Sequence, residues 1–237
     1  MRFLLTNDDG IDAIGIKFLE KALLRYGNVV VVAPTYQQSA KSCSITCFQG
    51  VNIRRIDENH LSLDGTPVDC VEAGCAMFPD IDVVISGCNN GYNLASDIIY
   101  SGTCGAATAG LLANKKTIAF SIGYPNDDPK MIEEYALKSL DFIFKNNLLS
   151  NDYYLNVNFP LNEYKGIKLT KVQKDLKESY YLKEKDGLSF FYRSRLNQSN
   201  EENIDNVAVD NGYISISPLA LLGFDEKTYK NISKKIK

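Results

Sequence analysis

Val29-Val30-Val31-Val32 constrains this chain more than any other stretch. Four consecutive β-branched residues with no polar alternation make a strand with two dry faces, which belongs in a parallel sheet covered by helices on both sides. The surrounding sequence agrees. Phe3-Leu4-Leu5 is a second apolar run, and Ile16, Leu19, Ala22, Leu23 and Tyr26 follow it at helical spacing, with Gly27 as a stop. Val83-Val84-Ile85 is a third run, ending at Ser86-Gly87 in a loop rich in Gly and Asn. Residues 117–122 read as a further strand and residues 155–159 as the last strand of the main sheet.

Helix signals fall between these runs. Thr66-Pro67-Val68-Asp69 opens a helix, with Thr66 as N-cap, Pro67 at the first helical position and Asp69 in the first turn. A small-residue helix occupies residues 105–113. Asp128-Pro129 caps an amphipathic helix carrying Ile132, Tyr135, Ala136, Leu140, Ile143 and Phe144. Residues 35–44 read as a polar loop, and residues 45–48, 51–56 and 61–63 as short strands. The alternation predicts a three-layer α/β/α Rossmann-like sheet.

Near residue 165 the character changes to charged residues and Tyr, with alternating pieces at 189–192 and 213–216 that suggest hairpins. The expectation is one domain of 237 residues: a Rossmann-like core over 1–164, and over 165–237 a hairpin-rich appendage with a C-terminal helix, used in oligomerisation or as a lid.

Composition narrows the function classes. The formal net charge is -3 and no basic stripe is present, so polymeric nucleic acid is not the main ligand. Lys-rich residues 227–237 read as a solvated helix face. No stretch approaches the about 20 apolar residues of a membrane span, and the N-terminal apolar piece is too short for a secretory signal. The expected compartment is the cytoplasm. The six cysteines form no C-x-x-C pair and read as reduced thiols packed as small hydrophobes.

Ligands of open α/β sheets sit beyond the C-terminal strand ends. Three polar loops should open there: Asn7-Asp8-Asp9-Gly10, Gln37-Gln38-Ser39, and the stretch from Ser86 to Asn93. Asp8 and Asp9 repel each other unless a cation neutralises them, and oxygen-only ligands suit magnesium or manganese. Either Asp read alone is equally a helix cap. Ser39 and Asn89 add neutral oxygens, although both are ordinary turn residues. Tyr100-Ser101-Gly102-Thr103-Cys104-Gly105 enters a helix whose first N–H groups suit an anion, with the Ser101 and Thr103 hydroxyls as further donors. The same small residues also permit close helix–sheet packing. The single histidine, His60, lies away from these loops, so a Ser-His-Asp or Cys-His mechanism lacks its base. No Walker A motif occurs.

Taken together, these loops resemble the survival protein SurE family. The matching residues are Leu4-Leu5-Thr6-Asn7-Asp8-Asp9-Gly10, Gln38-Ser39, Gly65-Thr66-Pro67-Val68-Asp69-Cys70, Ser86-Gly87-Cys88-Asn89, Gly91-Tyr92-Asn93, and Tyr100 through Ala107, with 155–160 and 212–219 further on. The resemblance spans residues 1 to about 220. It implies a divalent-metal-dependent phosphatase acting on nucleoside 5'-monophosphates and also 3'-monophosphates, with one magnesium or manganese ion per subunit. It also implies a homodimer or tetramer in which the C-terminal part is exchanged. By matching motifs the metal ligands are Asp8, Asp9, Ser39 and Asn89, and Asn93, Ser101, Gly102 and Thr103 lie against the substrate phosphate. Asp8 and Asp9 are the catalytic carboxylates, Asp8 orienting the water or taking its proton. Three positions depart from the family's usual residues: Ala40 replaces a Gly, Ile14 a Pro and Cys88 an apolar residue. A receiver-type signalling domain and a nucleotide-binding module without turnover are the rival readings.

Overall fold

The computed structural model describes residues 1–126, 128–173, 178–184, 187–193, 201–221 and 232. Two apolar runs form the sheet centre, β1 (Arg2–Thr6) and β2 (Asn28–Pro34), paired in parallel. Around them lie β3 (Ile53–Arg55), β4 (His60–Leu63), β5 (Val83–Asn90), β6 (Lys116–Ile122), β7 (Tyr153–Phe159), β8 (Gly166–Leu169) and β11 (Tyr213–Ala220). The order is β3-β4-β2-β1-β5-β6-β7-β11-β8. Strands β4, β2, β1, β5, β6 and β7 run parallel, β3 is antiparallel to β4, and β11 is antiparallel to β7.

Helices cover both faces because successive strand residues alternate between them. Phe3, Leu5, Val29 and Val31 pack with Ile16 and Leu19 of α1 (Ile14–Leu23) and Ile132 and Leu140 of α4 (Lys130–Lys145). Leu4, Val30 and Val32 face α2 (Pro67–Met77) and α3 (Gly102–Leu112) on the other side. The three-layer expectation holds.

Local signals were accurate where the interaction is local. Thr66 and Asp69 form a complete capping box. Asp128 accepts the Lys130 N–H at 3.0 Å, so it caps α4 as read, with Pro129 between.

Other readings are corrected. Residues 45–48 make no strand, because the Thr46 N–H and hydroxyl are both taken by the Asp69 carboxylate and the Ser44 carbonyl accepts from the Thr66 hydroxyl. Strand β5 does not end at Gly87 but continues to Asn90 through an irregularity between Ser86 and Asn89. Helix α3 begins at Gly102, three residues before the expected start, because Ser101 caps it. Strand β7 is not the last of the main sheet: Ile214 and Ile216 of β11 bury against the α1/α4 core and extend it. Beyond residue 164, then, β8 and β11 join the main sheet, whereas β9 (Glu178–Glu184) and β10 (Gly187–Arg193) pair as an antiparallel hairpin. A short helix α5 (Asp205–Asp210) precedes β11. Apart from residue 232, the expected helix over 227–237 lies outside the described residues.

Cys70, Cys88 and Cys104 are buried as read, while Cys43 and Cys47 are exposed. Among the described residues no helix is long and apolar enough to cross a membrane.

Candidate active site

Strand β1 feeds a connection to β2 on one side, and its other neighbour, β5, feeds β6 on the opposite side. The crevice between the ends of β1 and β5 is therefore the topological switch point, where doubly wound sheets bind ligands. A cleft of about 550 Å³ opens there. Asp8, Asp9, Ser39 and Asn89 all line it. These are the four residues expected to hold the metal, and they come from the loops after β1 and β2 and from the end of β5.

The loop after β1 is built from within. The Asn7 amide donates to the Gly10 carbonyl at 2.8 Å and its oxygen accepts the Gly10 N–H at 3.2 Å. Gly10 holds φ 100, a region closed to most side chains. This turn aims the intervening Asp8 and Asp9 at the cleft. The Gln38 N–H donates to the Asp8 carbonyl at 2.7 Å, which ties the second loop to the first.

Asp8 is only 3% exposed. Burial pushes its carboxyl up to about 6, helped by the neighbouring charge of Asp9 and opposed by the Thr103 hydroxyl. That hydroxyl donates to Asp8 Oδ1 at 2.6 Å. Gly102 lies directly beside the carboxylate, since a Cβ there would meet the Asp8 Cβ and Oδ2 at 2.9 Å. Asp9 Oδ2 accepts the Asn90 N–H at 3.1 Å. The Asn89 amide nitrogen donates to the Gly91 carbonyl at 2.8 Å, which commits its nitrogen to the protein and leaves its oxygen as the donor atom for a cation.

A magnesium or manganese ion suits this donor set. Two adjacent carboxylates, one of them desolvated, are mutually repulsive and call for a positive charge. Their company is a hydroxyl and an amide, oxygen ligands that suit hard ions. Among the described residues no group of three His, Cys, Asp or Glu comes together, so a zinc-type centre is not formed there.

The residues expected to meet phosphate separate into two groups. Asn93 and Ser101 line the cleft. Gly102 and Thr103 do not: Thr103 is fully buried and its hydroxyl is spent on Asp8. Ser101 Oγ accepts the Cys104 N–H at 3.0 Å as the N-cap of α3. The anion that the first turn of α3 holds is thus Asp8 itself.

Several contributors escaped the sequence reading. Asn93 is locked from below: its N–H donates to Asn158 Oδ1 at 2.9 Å, its carbonyl accepts from the Asn156 and Asn158 amides at 2.8 and 3.1 Å, and its own amide donates to the Ser121 hydroxyl at 2.7 Å. All three partners are fully buried. A signal existed, since Asn156 and Asn158 alternate with apolar residues inside a strand buried on both faces. Asp97 and Tyr100, from or just after a short 3-10 helix (Ala95–Ile99), also line the cleft, as does Asn90.

His60 lies away from this cleft, as expected. Its ring nitrogens face Asp57 Oδ1 at 2.8 Å and Glu20 Oε1 at 3.0 Å. Partial burial works against its charged form, but the two carboxylates prevail and raise its pKa. Cys104, close behind the site, has its thiol pushed up to about 12 by burial, which makes it a poor nucleophile.

Comparison with known proteins gives matches over most of the chain. The family model "Survival protein SurE" matches residues 3–179. The 5'-nucleotidase SurE of Leptospira interrogans serogroup Icterohaemorrhagiae serovar copenhageni is 36% identical over 230 residues, covering 93% of this chain and 92% of that protein. The 5'-nucleotidase SurE of Clostridium botulinum (strain Loch Maree / Type A3) is 37% identical over 234 residues, covering 92% of each. The crystal structure of the SurE protein from Aquifex aeolicus matches with a TM-score of 0.89 at 35% identity, over 100% of both chains.

Proposed function

This chain belongs to the survival protein SurE family, and from that premise we propose that it is a divalent-metal-dependent 5'-nucleotidase that hydrolyses nucleoside 5'-monophosphates and also 3'-monophosphates. The observation that carries the reading is the convergence of Asp8, Asp9, Ser39 and Asn89 on one cleft at the switch point, with Asp8 buried. The names of its relatives support the substrate class.

Asp8, Asp9, Ser39 and Asn89 would hold one magnesium or manganese ion per subunit. When bound, such an ion neutralises phosphate charge and makes water acidic enough to be a nucleophile near neutral pH. The chain's own residues do the rest. Asp8, buried yet lining the cleft, orients the attacking water or accepts its proton. Thr103 and Gly102 hold Asp8 in place, and the Asn90 N–H holds Asp9. Asn93 and Ser101 meet the phosphate from the cleft wall, Asn93 kept rigid by Asn156 and Asn158. Preorganised groups of this kind spare reorganisation during the reaction.

We place the protein in the cytoplasm, in keeping with its six free thiols, and as a homodimer or tetramer in keeping with its family. The test is phosphate release from a panel of nucleoside monophosphates with manganese, with magnesium and with a chelator. Metal-dependent release that vanishes on chelation and in Asp9→Asn supports the reading. Nucleotide binding without release under any metal would make the chain a binding module instead.

A further inference from the structure

The wall of the cleft that carries Asp97 and Tyr100 depends on a residue more than one hundred positions later in the chain. Asp205, in the first turn of α5, is fully buried. Its Oδ2 accepts the N–H of Ala95 at 2.7 Å. Its Oδ1 accepts the Asn206 N–H at 2.9 Å, and its own N–H donates to the Lys171 carbonyl at 2.9 Å. Burying a carboxylate is costly unless its oxygens are bonded, and here both accept a backbone N–H.

Ala95 is an unusual place for such a bond. It opens the 3-10 helix and holds φ 50, the left-handed region that a residue with a Cβ avoids unless its surroundings enforce it. Leu94 and Ala95 are 1% and 3% exposed, and Asn93 just before them is held by Asn156 and Asn158. Buried side chains outside the cleft thus grip the backbone at Asn93 and Ala95. Residues 96–100 then run along the cleft, which Asp97 and Tyr100 line. Asp205 supplies the grip at Ala95, and at the far end the Ser42 hydroxyl donates to the Ile99 carbonyl at 2.7 Å and the Ser42 N–H to the Tyr100 carbonyl at 3.1 Å.

We propose that Asp205 is a positioning residue for substrate binding. It enforces the turn at Ala95, and through that turn it sets where Asp97 and Tyr100 stand against the nucleoside part of the substrate. A carboxylate suits a ribose hydroxyl, and the ring of Tyr100, 55% exposed, suits a base. Asp8 and Asp9 follow β1, and the Ser101–Thr103 turn that runs on from residues 96–100 to Asp8 has its own hold in the Ser101 cap and the Thr103–Asp8 bond, so the metal end should respond less than the nucleoside end. The inference rests on the nucleotidase reading for the identity of the substrate.

The experiment compares Asp205→Ala and Asp205→Asn with the parent chain, using adenosine 5'-monophosphate turnover with manganese together with manganese affinity measured by titration. Asp205→Ala is expected to raise KM about tenfold while kcat moves less than about threefold and manganese affinity less than about twofold. Asp205→Asn keeps an acceptor oxygen and is expected to restore KM to within about threefold of the parent. An unchanged KM in a folded Asp205→Ala variant overturns the proposal, and so does a parallel loss of KM, kcat and metal affinity. If Asp205→Ala does not fold, hydrogen exchange on the parent chain decides. Adenosine 5'-phosphorothioate, a slowly hydrolysed analogue, is expected to slow exchange at both 94–100 and 204–210. Slowing at 94–100 alone overturns the proposal. Absence of phosphate release from the parent chain would fail the nucleotidase reading, and the exchange experiment, which needs only binding, would still judge Asp205.

Discussion

The Thr103 hydroxyl donates to Asp8 Oδ1 across 2.6 Å, joining the first turn of α3 to the loop after β1. It is the counterweight to the burial of Asp8, since a hydrogen bond to a carboxylate lowers the pKa that desolvation raises. Thr103→Val keeps the shape and removes the donor. The expected loss of stability is about 1.5–3 kcal/mol. With its acceptor bond gone, the Asp8 carboxyl rises further, so the acid limb of the rate profile should move to higher pH. Urea unfolding and a pH–rate profile check both, and an acid limb that stays in place would remove Thr103 from control of Asp8.

Titration of Asp8 links metal and stability. Its folded pKa, about 6, lies above the ordinary 3.8. The difference corresponds to about 3 kcal/mol against the ionised form. In the metal-free chain this group's contribution to stability is therefore full below pH 3.8 and lost as pH rises through 6. A cation reverses the balance, because it binds only the ionised carboxylate. The rise in Tm on adding manganese should be larger at pH 8 than at pH 5. A rise of equal size at both would mean that the cation does not sit on Asp8.

Gly102→Ala tests the packing beside the carboxylate. The new methyl would stand 2.9 Å from Asp8 Cβ and Oδ2 and 3.2 Å from the Gln38 carbonyl. The backbone at that distance does not yield, so Asp8 must move. Overpacking of this kind costs about 1–3 kcal/mol, and displacement of a group in the reaction costs about 100-fold in rate. Turnover should fall by that factor in a protein that still folds. A variant with normal turnover would show that the placement of Asp8 is not critical.

Ala40 stands in the left-handed region at φ 58. This explains why the family's usual residue there is Gly. Ala40→Gly removes a strain of about 1–2 kcal/mol and loosens the unfolded chain by about 0.4–1 kcal/mol. The net expectation is a small gain in stability, at most about 1.6 kcal/mol, with metal affinity unchanged. Denaturant titration measures it, and a clear loss of stability would mean that the Ala40 methyl makes a contact that matters.

Much of the fold was legible because its signals are local. Val29 to Val32 report a doubly buried strand by their side chains alone, and Thr66, Pro67 and Asp69 encode a cap within four residues. The site was half legible. Asp8, Asp9, Ser39 and Asn89 stood out because each follows an apolar run in the sequence, and the sheet carries all four to one cleft. Thr103 was read against phosphate, and the structure shows its hydroxyl on Asp8, a partner that depends on where α3 begins. A hydroxyl in a run of small residues does not reveal that.

The sequence by itself determined the strand–helix alternation, the strand ends that gather polar residues, and the oxygen-bearing side chains proposed to hold a metal. Only the tertiary structure decided which buried polar groups face each other. Asn158 meets Asn93 because β7 lies beside β6, and Asp205 meets Ala95 because α5 packs against β11 and β7 of the same sheet. Periodicity and capping act over a few residues, so a sequence displays them directly. A buried amide or carboxylate is satisfied by whatever the fold brings within 3 Å, and that neighbour is set by strand order and register across the whole chain.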